Sequence, residues 1–168
     1  MKIIVCNDTR TESFPDDFDW QHADATRRAQ TTRENINLDS MLCKKLRKAG
    51  HGVVLFDGYE KNAIKKITDH NRGASHLTQL IAEFQATGMV FDLHYFGDFE
   101  YGVLCLKQLR KYKALPIDMK FYVYSRFVKE PKGDYPRRLV EDCNIPLGNI
   151  IDRHQHDIDK IVSLFGTK

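Results

Sequence analysis

Aspartates close four of the short apolar runs in this chain. Asp8 follows Ile3-Ile4-Val5-Cys6-Asn7, Asp57 follows Val53-Val54-Leu55-Phe56, Asp92 follows Met89-Val90-Phe91, and Asp152 follows Ile150-Ile151. A fifth run, Phe121 to Tyr124, closes on Ser125-Arg126. Two carboxylates at close range repel unless a cation lies between them, and Mg2+ suits one or two carboxylates together with phosphate oxygens. A single aspartate after a strand is also an ordinary turn former. Two further sets offer metal chemistry. Asp8, Asp92, His94 and Asp98 form an Asp/His group able to activate a metal-bound water. His154 and His156 suit a metal only in an extended segment, and Asp157 beside them reads as a residue of a helix N-terminus.

The elements that would position these groups follow from periodicity. Lys2 to Cys6 is a buried strand stopped by Asn7-Asp8. Leu38, Leu42, Leu46 and Ala49 give a helix over 35–49, ended by Gly50. Val53–Phe56 is strand 2. Ala63, Ile64 and Ile67 mark a helix that Asn71-Arg72-Gly73 interrupts, and Leu77, Leu80, Ile81 and Phe84 carry a further helical stripe. Met89–Phe91 is strand 3, followed by a Gly- and acid-rich segment and a helix with Val103, Leu104, Leu106 and Leu109. Phe121–Tyr124 is strand 4, residues 128–135 form a loop, and Pro136 stands in the first turn of a helix continued by Leu139, Val140 and Cys143. Ile150-Ile151 is strand 5, and Ile158, Ile161, Val162 and Phe165 give the last helix. Five β-α units with non-alternating strands predict a doubly wound five-stranded parallel sheet with helices on both faces. In the order 2-1-3-4-5, strands 1 and 3 are neighbours, and Asp8 and Asp92 converge at the switch point where such sheets bind ligands.

The chain of 168 residues reads as a single domain over 1–168. The polar stretch at about 9–33 is read as an insertion at the rim of the crevice, with Phe14, Phe18 and Trp20 available to dock it. A net charge of +3 is too small to establish nucleic-acid binding. The most basic stretch, 107–138, interleaves Lys107, Arg110, Lys111, Lys113, Lys120, Arg126, Lys129, Lys132, Arg137 and Arg138 with aromatic residues. Solvated helix faces and a protein-contact surface explain it at least as well as nucleic acid does. Four cysteines without a CxxC pair point to a reduced, cytoplasmic chain. Neither a membrane span nor a signal peptide is expected. No GxGxxG or GxxxxGK[ST] loop occurs, which argues against a dinucleotide or P-loop site.

Ile3 to Asp8, Met89 to Asp92 with Gly102 opening a helix, Phe121 to Ser125, and the segment Gly97 to Arg110 together resemble the receiver domain of bacterial response regulators, a flavodoxin-like fold of two-component signal transduction. The resemblance covers most of the chain outside 9–33 and 69–87, and rests on the order and spacing of the five units. It implies Asp92 as phosphoacceptor, Asp8 and Asp92 as Mg2+ ligands, and Ser125 as the switch hydroxyl. Asn7 replaces the first acid of the family's acidic pair. Asp152-Arg153-His154 stands where the family has a lysine, with Arg153 as the candidate substitute cation. His94, Tyr95 and Phe96 make the loop after Asp92 bulkier than the family's.

The function expected from these residues is a receiver-like signalling and interaction module. It is either a phosphoprotein modified on Asp92 with Mg2+, or a pseudo-receiver acting through its fourth-helix face and its insertion. Its partner would be a histidine kinase or a downstream effector protein; a homodimer stays open. The alternative is a metal-dependent hydrolase of phosphate esters, nucleotides or nucleic acid built on Asp8, Asp92, His94 and Asp98. A nucleotide or second-messenger sensor using the same crevice is a third reading.

Overall fold

The computed structural model describes residues 1–6, 41–56, 67, 69–93, 99–125, 134–152 and 158–166. Five strands, β1 (Lys2–Cys6), β2 (Gly52–Phe56), β3 (Gly88–Phe91), β4 (Lys120–Ser125) and β5 (Ile150–Asp152), form one sheet in the order β2-β1-β3-β4-β5. Every pairing is parallel. Parallel neighbours need crossovers, and α1 (Met41–Lys48), α2 (His70–Phe84), α3 (Phe99–Lys111) and α4 (Tyr135–Glu141) lie in them, while α5 (Ile158–Phe165) follows the last strand. The architecture is the doubly wound, flavodoxin-like one expected from the order of apolar runs.

Alternation along the strands divides the core into two layers. Ile4 and Cys6 of β1, Met89 and Phe91 of β3, and Phe121 and Val123 of β4 pack with Leu77 and Ile81 of α2, Leu106 and Leu109 of α3, and Leu139 of α4. Ile3 and Val5, Val90, and Tyr124 face the other way, against Leu42 and Leu46 of α1 and Ile161 and Phe165 of α5. Ile3, Ile4, Val5 and Cys6 are all fully buried, because β1 lies between β2 and β3 with a helical layer on each side. This is why its sequence is an unbroken apolar run.

Several local signals act as expected. Gly50 closes α1 with φ 87°, a left-handed conformation that suits glycine, while the His51 amide donates to the Leu46 carbonyl at 3.2 Å. Pro136 lies in the first turn of α4. The four cysteines are all buried thiols, and burial pushes Cys105 up to about 12 and Cys143 up to about 11. No helix among the described residues is long and apolar enough to cross a membrane.

Four expectations need correction. Asn71-Arg72-Gly73 does not interrupt a helix: these residues belong to the first turn of α2. The Asp69 carboxylate caps that turn by accepting from the Asn71 amide at 2.9 Å. Gly73 serves packing, since a Cβ there would run into the Tyr101 hydroxyl of α3. The third helix opens at Phe99, so Gly102 lies inside its first turn. Tyr135 is helical and buried rather than the end of a loop. Val140 is exposed, because the short α4 turns only Tyr135 and Leu139 inward. The insertion at 9–33, residues 35–40, Ala63 and Ile64, and His154 to Asp157 lie outside the described residues.

Candidate functional site

Of the four buried polar or charged side chains among the described residues, three stand at the carboxyl ends of strands. Asp92 is 8% exposed, Ser125 is fully buried and Asp152 is 7% exposed. Burying polar groups is costly unless they are satisfied, so their concentration on one edge marks that edge as chemically distinct.

Register places them relative to one another. β1 and β3 are neighbours with Cys6 opposite Phe91, and the Asp92 amide extends that ladder by donating to the Cys6 carbonyl at 2.9 Å. Asp92 therefore sits beside the point where strand order reverses. Phe91 is opposite Val123 on β4, which puts Asp92 level with Tyr124 and Ser125 one residue farther out. Ser125 is itself paired with Asp152. Val123 and Ile150, the preceding partners on that face, belong to the layer under α2, α3 and α4. Ser125 and Asp152 fall on that same side by alternation. Phe91 and Leu93 also pack in that layer, so period two sends the intervening Asp92 toward the α1/α5 side.

The structure thus brings Asp92 and Ser125 to the tips of adjacent strands, as the sequence implied. It adds Asp152 as Ser125's neighbour, a residue recognised as a strand end but given no role. The signal for it was present: the resemblance places a lysine at the end of strand 5, and an acid occupies that register. Asn7, Asp8, Asp57, His94, Asp98, Arg126 and Arg153 lie outside the described residues. Among the described residues, no three His, Cys, Asp or Glu side chains form a metal-binding group.

The segment after Asp92 is held from behind. A Cβ on Gly102 would overlap the Leu93 carbonyl oxygen and stand 2.8 Å from the Leu93 Cα. Helix α3 therefore approaches the backbone next to Asp92 as closely as a glycine permits. One residue earlier, Tyr101 fills the Gly73 notch and donates to the Asp69 carbonyl at 3.4 Å; burial pushes its phenol up. At the start of the same turn, Arg138 of α4 grips Glu100 with both ends of its guanidinium, at 2.6 and 2.7 Å. That hydrogen-bonded pairing holds the Glu100 carboxyl below the usual range.

The basic stretch is largely spent on such local contacts. Lys107 pairs with Asp142 at 2.6 Å. Arg110 donates to the Cys143 and Asn144 carbonyls. Lys120 reaches the Leu164 carbonyl, and Arg137 pairs with Asp134, just before its helix, and with Glu141 at the helix end. Arg126, Lys129 and Lys132 lie outside the described residues. Among the described residues, Lys107, Arg110, Lys120, Arg137 and Arg138 are thus engaged on separate elements rather than gathered on one.

No family model matches the chain, and comparison with the curated proteins and with the solved structures returned no match.

Proposed function

We propose that this chain is a receiver-like signalling and interaction module whose switch site is the carboxyl edge around Asp92 and Ser125, and that it works without phosphotransfer. The observation that carries the reading is the gathering of Asp92, Ser125 and Asp152, all buried, at the strand tips of a sheet ordered 2-1-3-4-5. The order, the acid beside the switch point and the hydroxyl on the next strand match the receiver pattern. Asp152 favours the phosphorylation-independent mode, since an acid stands at the end of strand 5 where the family supplies a compact cation. Partners would then be proteins that bind the module's helical faces.

The test is amide NMR with Mg2+ and fluoroberyllate, an analogue of a bound phosphoryl group. The expected result is no shift at Asp92, Leu93 or Ser125. A saturable shift at these residues, lost in Asp92→Asn, would overturn the phosphorylation-independent mode in favour of a phosphorylated receiver using Asp8, Asp92 and Mg2+. The hydrolase reading depends on Asp8, His94 and Asp98 as well as Asp92. Metal-dependent turnover on a panel of phosphate esters, nucleotides and nucleic acids, lost in Asp92→Ala, would overturn the module altogether.

A further inference from the structure

The first turn of α3 touches two places at once. On one side, Gly102 lies against the Leu93 backbone, too close for any side chain to intervene, and Leu93 is the residue bonded to Asp92. On the other side, two residues back, Glu100 holds both nitrogens of the Arg138 fork. Arg138 is also seated over the Tyr135 ring, 5.8 Å from its centroid, and Tyr135 is buried in the core. A two-pronged ion pair fixes direction as well as distance, and a glycine against backbone cannot yield by a rotamer change. A helical turn held at both ends moves as a unit.

We infer that the first turn of α3 is a mechanical link that couples the carboxyl edge at Asp92 to the outer face of α4. The link rests on the reading of Asp92 as the switch residue and adds how that residue would be felt at a partner-facing helix. Displacement of the Asp92–Leu93 backbone pushes on Gly102, and the turn carries Glu100 with it. Arg138 follows its carboxylate, shifting α4, on which Arg137 and Val140 are exposed.

Asp92→Asn replaces the carboxyl with an amide of the same shape, so it perturbs the edge without any phosphoryl chemistry. Its amide-NMR shifts are expected at Cys6 and Leu93, along the first turn of α3, and at residues 135–141. In a Glu100→Ala background the shifts at 135–141 are expected to be lost while those at Cys6 and Leu93 remain. The swapped pair Glu100→Arg with Arg138→Glu is expected to restore them. Glu100 is exposed, so its removal leaves the fold standing. Absence of α4 shifts in the wild-type background, or their survival in Glu100→Ala, overturns the link. Fluoroberyllate reports separately on phosphorylation. Its failure to bind leaves these outcomes readable, and its binding leaves the Glu100→Ala criterion unchanged.

Discussion

The two ends of one sheet are built differently. At the amino end, polar groups tie the ends of elements together. The buried His51 ring lies 2.7 Å from the Gly166 carbonyl through Nε2 and 3.4 Å from the Met1 amino group through Nδ1. The Thr87 hydroxyl accepts from the Lys2 amide at 3.1 Å, and the Asn149 side chain donates to the Phe121 carbonyl at 2.9 Å. These bonds join the ends of elements to one another. At the carboxyl end, the buried polar side chains among the described residues are Asp92, Ser125 and Asp152. Parallel topology alone does not impose this asymmetry. Among the described residues, the amino end gathers bonds between the ends of elements, and the carboxyl end gathers buried acid and hydroxyl side chains.

Substitutions can break or sharpen this contrast. The largest effect is expected at Gly102→Ala, where the added methyl meets Leu93 backbone. Its cost belongs at or above the upper end of the about 1–3 kcal/mol typical of overpacking, measured by denaturant unfolding. A loss under half of that would mean the carboxyl edge is softer than the geometry implies. Next, His51→Ala removes the amino-end clasp and should cost about 1–3 kcal/mol in the same assay, with the Asp92 and Ser125 amide resonances unmoved. Movement at those resonances would mean the two ends are not separable.

Gly88→Ala comes third. The obstacle there is the Phe165 ring edge, 2.8 Å from the added carbon. A side chain can turn aside, so the loss should be nearer about 1 kcal/mol and visibly smaller than at Gly102. The core between the two ends offers a reference. Burial raises the Cys105 and Cys143 thiols to about 12 and about 11, from 9.0. Unfolding releases these protons more readily, so the stability they confer is intact below about pH 9 and falls as pH rises through that interval. Both thiols should resist alkylation at pH 8 until the chain unfolds. The smallest effect is expected at Lys45→Ala, which cuts the exposed Lys45–Asp159 bridge joining α1 to α5 and should change stability by under about 1 kcal/mol.

The sheet was legible because its signals are local. Ile3 to Cys6 could only be a doubly buried strand, Gly50 a cap and Pro136 a first-turn residue. The misreading at Asn71–Gly73 came from taking Gly as a breaker, when the reason for that glycine lies in Tyr101, a residue of another helix. The Asp69 cap was the available sign that a helix starts there. At the site, Asp92 and Ser125 announced themselves as polar ends of apolar runs. Asp152 had the same signature, but its pairing with Ser125 depends on the β4–β5 register, which no spacing within either strand specifies. The Glu100–Arg138 grip was illegible for the same reason: one partner follows β3 and the other follows β4.

The amide spectrum of Asp92→Asn against wild type bears most directly on the claim that the carboxyl edge is the switch end. The account predicts shifts at Ser125 and Asp152 and onward through α3 to α4, with His51, Thr87 and Gly166 unchanged. Shifts confined to the immediate neighbours of Asp92, or spread equally over both ends of the sheet, would contradict it.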